Sequence, residues 1–459
     1  MPRSYQCGGV VLRMSLLRTD GVWEELPGLE IRRIAPTFRM ASSNPSSSAA
    51  PPSDPSEASR ESFARHLHPA DLRGAAQLAT EATLEGTRLV EAVHAAVLAL
   101  LRGHPSGARS QAAGLTGWVY RTVRRIAQVS GWVGTRVLQG SEQVIGPRRP
   151  PDSRARQQLL SVLNGVMGDH LVASDSPLAR PFSLRSPDGA RVDGDARGPA
   201  APDTLVVFVH GLCQSDHAWM RGSGDRSGPV EALAAAVDGG PILARYNSGR
   251  PIRANGRALA EHLDALIAPP HGASRLVLVA HSMGGLVVRS AARHARRASA
   301  GWPDRVTETI YLGTPHRGAP LERAGAWVEE QLRRTPLTAP LATLATLRSQ
   351  GIQDLRHGTI GPEEAAHPAD RDERAVCTPG RVLHGAGTLA SARTTREVIG
   401  DGLVPVSSAL DSSGASDGAT RRLFEGLGHL ELVRDPAVAE YLCGWLSEDG
   451  PTPAPGSAP

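Results

Sequence analysis

Lysine is absent from this 459-residue chain, so all 50 of its basic residues are arginine, set against 46 acidic ones for a formal charge of only +4. Abundant Arg, Ala, Gly and Pro without Lys reads as the codon bias of a GC-rich bacterial genome, so the basic balance says little about nucleic acid. No compact Arg cluster interleaved with aromatic residues occurs either, which argues against a nucleic-acid partner. Cysteine is scarce. Cys7, Cys213, Cys377 and Cys443 are scattered, with no CxxC pair and no metal-ligand spacing, which excludes a structural zinc site and leaves a disulfide open. No run of about 18 apolar residues exists, so no membrane-spanning helix is expected. The stretch CGGVVLRMSLL near the start is broken by Arg13 and lacks a clean small-residue cleavage site, which makes a poor signal peptide. No internal repeat is present. The expectation is a soluble protein, cytoplasmic or attached to a membrane surface.

What is present divides the chain. Residues 1–39 carry no clear pattern, and the Ser/Pro-rich stretch after Met40, an alternative start, reads as a solvated linker. Residues 1–65 are therefore expected to be a disordered or low-complexity N-terminus, and 449–459 a disordered tail. Between 66 and 175 three stretches read as helix: Pro69 to Leu101, Trp118 to Leu138, and Ser153 to about His170. In the second, Val119, Val123, Ile126, Val133 and Val137 fall near one face and Arg121, Arg124, Arg125 and Arg136 on others. Packing onto the rest of the chain or onto a partner is the favoured reading of that face. Peripheral membrane contact is the alternative, given Trp118, Tyr120 and Trp132.

After Arg180 the pattern changes. PFSLRSPDGARVDGDARG reads as two short strands about a turn, and TLVVFVHG, PILARYN, RLVLVAHS, TETIYLGTP and RVLHGAG follow as short apolar runs with helical segments between them. Strand alternating with helix at this spacing predicts an α/β domain with a mostly parallel sheet covered on both faces, over 176–448. Residues 319–375 are too long for a plain connection and read as a cap whose Leu, Ala and Trp327 would suit acyl chains.

In AHSMGG a strand must reverse into a helix within very few residues. Such a turn forces its central residue into strained backbone and needs small neighbours, which Ala280 and Gly284 supply, while Gly285 lets the helix pack closely on the sheet. The hydroxyl of Ser282 is thereby held up at the carboxyl end of the sheet. A serine there becomes a nucleophile only with a base and an acid further along. His429, in EGLGHLELVRDP, is the best-placed base, and Asp401, in GDGLVP, the best-placed acid; Asp411 and Asp417 compete but read as solvated turn residues. The oxyanion donors fall to the backbone N–H of Leu212, in the turn His210-Gly211-Leu212, and of Met283.

HGL after a strand, AHSMGG, LGTPHRGAP, DGLVP and GHLELVRDP, in that order, resemble the α/β-hydrolase superfamily, most closely its lipase-like and GPI inositol-deacylase-like members. The resemblance runs from about Pro202 to Leu446 and implies an α/β-hydrolase fold with a helical N-terminal region and a cap insertion. It also implies a Ser282, Asp401, His429 triad and ester hydrolysis with no metal or organic cofactor. Ala280 stands where the first glycine of G-x-S-x-G is usual. Two other classes remain open: an acyltransferase or amidase with the same triad, and a non-catalytic protein that binds a membrane or partner on a hydrolase scaffold. Around the triad, His281 is expected to pack and hydrogen-bond, His316 to shape the loop beside the site, and Cys213 to be a small buried thiol.

Overall fold

The computed structural model describes residues 3–7, 10–14, 68–101, 114–145, 154–192, 202–220, 228–269, 272–320, 349–358, 360, 380–390, 399–411 and 418–447. The chain divides into two units, Met1–Ala58 and Ser59–Pro459. In the first, β1 (Arg3–Cys7) pairs antiparallel with β2 (Val10–Met14), with Cys7 opposite Val10. An unpatterned N-terminus was expected there. The Ser/Pro linker lies outside the described residues.

The second unit begins with two long helices, α1 (Pro69–Leu101) and α2 (Gly114–Ile145). They form an antiparallel pair: a Cβ on Gly131 would fall 2.4 Å from Thr80 Oγ1, Arg124 pairs with Glu91, and His94 Nδ1 lies 3.1 Å from Tyr120 Oη. The face of α2 that meets α1 is therefore the one bearing Tyr120, Arg124 and Gly131. The valine stripe points elsewhere: Val119, Val123, Ile126, Val133 and Val137 are all exposed. Among the described residues the stripe packs against nothing, because the small and polar side of α2 makes the helix contact instead; the partner half of the favoured expectation is left open.

The third helix, α3 (Arg154–Ala173), behaves differently. Val162 and Val166 are buried in one core cluster with Leu212, Cys213 and Leu278, and Asn247 Nδ2 donates to the Gly168 carbonyl at 2.9 Å. α3, which ends just before the expected boundary at 175, thus packs into the same core as the sheet. It carries Gly165 and Gly168 where it crosses other backbone, and a Cβ at Gly168 would lie 1.8 Å from Asn247 Oδ1.

Then follow β3 (Ser183–Arg185), β4 (Thr204–Val209), α4 (Pro229–Ala235), β5 (Gly240–Arg245), α5 (Ile252–Ile267), β6 (Arg275–His281), α6 (Met283–Ala298) and β7 (Val306–Leu312). The chain closes with α7 (Gln350–His357), β8 (Arg381–Thr388), α8 (Val406–Ala409), β9 (Thr420–Glu425) and α9 (Pro436–Ser447). The sheet runs β3-β5-β4-β6-β7-β8-β9, with β3 antiparallel and every other pairing parallel. Alternate side chains of each central strand enter opposite layers, as strand geometry requires. Leu205, Val207 and Val209 join Leu259, Leu263 and Leu286 on one face, and Val206 and Phe208 join Val230, Leu233 and Leu442 on the other. Both faces being covered explains why the strands read as continuous apolar runs.

Two expectations change in detail. β9 was not foreseen, since in TRRLFE only Phe424 is fully buried and an edge strand of that composition gives no apolar run. Of the expected cap at 319–375, α7 is built into the core instead: Ile352 and Leu355 are buried, and Ile252 N–H donates to Asp354 Oδ2 at 2.9 Å. The remainder of that segment, Trp327 included, lies largely outside the described residues. Among the described residues no helix is long and apolar enough to cross a membrane.

Candidate active site

The turn at Ser282 has the backbone that its sequence calls for. Ser282 sits between β6 and α6 at φ 55° and ψ −129°, a region that non-glycine residues enter at a cost of about 1–3 kcal/mol. Neighbouring groups hold it there: its N–H donates to the Leu312 carbonyl at 2.8 Å, and Gly285 N–H returns to the Ser282 carbonyl at 3.0 Å. A Cβ on Gly284 would lie 2.5 Å from the Val209 carbonyl, and one on Gly285 2.1 Å from Thr314 Oγ1. Both glycines let α6 start directly against the ends of β4 and β7. Ala280 is fully buried in the last paired turn of β6, opposite Val209 and Tyr311.

Three side chains far apart in sequence meet above this turn. His429 Nε2 lies 2.8 Å from Ser282 Oγ, and His429 Nδ1 lies 2.7 Å from Asp401 Oδ2. Asp401 Oδ1 accepts the Leu403 and Val404 amides at 3.0 and 2.8 Å, so both carboxylate oxygens have donors and its orientation is fixed. The Asp401 carbonyl in turn accepts His429 N–H at 3.0 Å. All three residues are at most 5% exposed. Asp411, the competing acid, is in a left-handed turn at φ 47°, and its carbonyl accepts from Arg421. Asp417 lies outside the described residues.

The two amides expected to hold an oxyanion are both free of partners among the described residues. Met283 is the first residue of α6, where helix N–H groups have no intrahelical acceptor. Leu212 follows Gly211, whose own N–H donates to Gln214 Oε1 at 3.0 Å. A Cβ at Gly211 would press within 2.9 Å of Ser282 Cβ, so this turn approaches the serine as only glycine permits. His210 supports it from below, its ring stacked on Tyr246 at 4.2 Å while Tyr246 Oη donates to the His210 carbonyl at 2.6 Å. Burial lowers the His210 pKa to about 4, so the ring is neutral.

His281 does more than fill space. Its Nε2 donates to the His429 carbonyl at 2.9 Å, its ring lies 4.7 Å from that of His429, and its Nδ1 lies 3.2 Å from Gln214 Oε1. Burial, and then the neighbouring His429 ring, push its pKa well below the usual imidazole range. As an uncharged ring it therefore holds the His429 loop through Nε2, with Nδ1 left without a proton to donate. His316 reaches neither Ser282 nor His429 by hydrogen bond. Its Nδ1 accepts from Arg289 at 3.0 Å, its Nε2 meets His384 Nδ1 at 3.0 Å, and burial lowers its pKa strongly too. Cys213 is in a left-handed turn at φ 55°, its N–H donates to Ser248 Oγ at 3.1 Å, and burial pushes its thiol up to about 12, which makes it inert.

Sequence reasoning missed three contributors. Gly313, at φ 55°, leaves room beside the acid and base, since a Cβ there would fall 3.1 Å from Asp401 Oδ2 and 3.2 Å from His429 Nδ1. Gln214 Oε1 accepts the Gly211 N–H at 3.0 Å and lies against the His281 ring, 3.2 Å from Nδ1. Gly165 of α3 backs the HGL turn, its missing Cβ only 2.3 Å from Cys213 Sγ. The glycine of LGTP, directly after a strand, was a usable signal; Gln214 and Gly165 gave none. Beyond the triad, a cleft of about 530 Å³ lined by Arg317, Arg356, His357 and Ser408 opens beside the loop after β7, without reaching Ser282.

A model of the PGAP1-like alpha/beta domain family matches residues 256–367, a span that includes the Ser282 turn. No curated protein matches the chain in sequence. Among solved structures, a Bacillus licheniformis lipase in its mature form is 20% identical, over 58% of this chain and 98% of that one, at a TM-score of 0.37. A Bacillus subtilis carboxylesterase is 14% identical, over 62% and 96%, at 0.36. A Pyrococcus furiosus esterase is 13% identical, over 58% and 87%, at 0.36. The strained serine turn, set in a mostly parallel sheet, thus lies in the segment that is similar to the PGAP1-like alpha/beta domain.

Proposed function

We propose that the chain is a serine hydrolase that cleaves carboxylic esters through an acyl-enzyme, with lipid-like acyl esters as its substrate class. The observation that carries this reading is the unbroken hydrogen-bonded chain from Ser282 Oγ through the His429 ring to Asp401, with links of 2.8 and 2.7 Å. Ser282 Oγ attacks the acyl carbon as its proton passes to His429 Nε2. The charge that develops on the carbonyl oxygen is taken by the Leu212 and Met283 amides, and each such donor is worth on the order of a hundred- to a thousand-fold in turnover. The imidazolium, stabilised by Asp401, returns the proton to the leaving alcohol as the ester C–O bond breaks, leaving acyl-Ser282. Water, deprotonated by His429, then attacks the acyl carbon, and Ser282 leaves with its proton restored.

The lipid-like part of the proposal rests on composition alone, the Leu- and Ala-rich sequence from Ala319 onward with Trp327 being apolar as acyl-chain recognition requires. Turnover of p-nitrophenyl esters of increasing acyl length, wild type beside Ser282→Ala, tests both parts. The expected result is turnover that rises beyond the acetyl ester and is lost in the variant. Ester turnover retained by Ser282→Ala overturns the mechanism. Activity confined to the acetyl ester overturns the substrate class alone, and acyl transfer to an added amine in preference to water replaces hydrolysis by transfer.

A further inference from the structure

The exposed face of α2 has the composition of a surface that meets lipid. Val119, Val123, Ile126, Val129, Val133 and Val137 recur at three- and four-residue spacing, and each is between 41% and 65% exposed. They form one stripe about 27 Å long at 1.5 Å per residue. Trp132 is 63% exposed at its edge, with the Arg136 guanidinium 5.8 Å from its ring centre. An apolar stripe of this length is far from the scattered single residues that soluble surfaces normally carry.

Charge selects the occupant. All four acidic side chains of α1 are already engaged: Asp71 with Arg156, Glu81 with His170, Glu85 with Arg88 and Glu91 with Arg124. On α2 the only acidic residue is Glu142, beyond the stripe. Arg121, Arg125 and Arg136 stand beside the stripe, exposed and with no acidic partner among the described residues. A second copy docking on the same face by two-fold symmetry would bring these like charges together, whereas helix pairs normally set Glu against Lys or Arg along such edges. An anionic lipid surface complements all three, accepts the valines between its acyl chains, and suits tryptophan at the boundary.

We propose that α2 is a membrane-surface docking helix that lies in the plane of an anionic lipid bilayer, with the Val119 to Val137 stripe inserted and Arg121, Arg125 and Arg136 on the headgroups. The α1–α2 hairpin is anchored to the core through Asp71 and Arg156 and through Gln77, whose Nε2 donates to the Ser174 carbonyl at 2.7 Å. Docking on α2 would therefore hold the whole hydrolase domain at the bilayer. The inference stands apart from the proposed chemistry, because binding and soluble-ester turnover are read separately.

Co-sedimentation of the full chain with phosphatidylcholine vesicles, with and without phosphatidylglycerol, is the test. Wild type is expected to bind the phosphatidylglycerol vesicles and to release at high salt. Ile126→Gln with Val133→Gln is expected to abolish binding, and neutralising Arg121, Arg125 and Arg136 to Gln to weaken it by on the order of a hundredfold. Soluble-ester turnover should be unchanged in both variants. These positions are exposed, so the folded state is not at risk, and the arginine variant leaves the apolar stripe untouched. No binding by wild type overturns the proposal, as does binding unaffected by both variants. A dimer seen by light scattering and lost in the Ile126/Val133 variant, without vesicle binding, assigns the face to a second copy instead.

Discussion

Helices α2 and α3 come from one Arg- and Val-rich region of sequence and are only a few residues apart, yet they meet opposite surroundings. In α3, Val162 and Val166 are each 3% exposed and Gly165 backs the HGL turn. In α2, Ile126, Val129 and Val137 are each more than 60% exposed. The difference lies in where each helix puts its small residues. On α3, glycines face the HGL and Asn247 loops, so the helix sinks into the core; on α2, Gly131 faces α1, so the valines are turned outward. Apolar periodicity alone cannot tell these two cases apart, because it reports a face and not what the face meets.

The comparison can be broken from either side. The largest effect belongs to the buried end: Asp401→Asn should lower kcat for soluble esters by about ten-thousand-fold, as the His429 ring loses its tautomer partner, while the fold is retained by circular dichroism. In α3, Gly165→Val should cost about a hundredfold or more in kcat, because the added side chain collides with Cys213 and displaces the Leu212 amide. Steady-state kinetics on a soluble ester checks both. If Gly165→Val has wild-type kcat, α3 is not a support of the oxyanion turn.

Acid should act on the same buried end. His210, His281 and His316 are all neutral in the fold, with pKa values lowered by burial, to about 4 for His210. The unfolded chain therefore binds more protons between about pH 6.5 and pH 4, so stability is lost as pH falls through that window and is unaffected by these groups above it. Each contributes up to about 1.4 kcal/mol per pH unit. Thermal melts between pH 7 and pH 5 should show the decline, and a flat melting temperature would contradict the buried neutral rings. At the exposed end, Val133→Ser should change stability by no more than about 0.5 kcal/mol and kcat not at all, measured by urea unfolding and ester turnover.

The sheet was largely legible from residues alone, and so was the choice of the three side chains that the structure brings within hydrogen-bond distance of one another. Central strands buried on both faces read as apolar runs, and Ser282, Asp401 and His429 stand in the order that a strained serine turn demands. What was not legible depended on contacts made at long range. β9 carries one buried residue, α3 joins the core through glycines that lack any apolar signature, and Gln214 matters only because Gly211 and His281 converge on its carbonyl. His281 was legible as a packing residue but not as the link that holds the His429 carbonyl.

Intact-mass analysis after reaction with a fluorophosphonate tests the central claim most directly. The account predicts one phosphonyl adduct per chain, mapped to Ser282 by peptide digestion and absent from Ser282→Ala. An unlabelled wild type, or an adduct carried equally by Ser282→Ala, would contradict it.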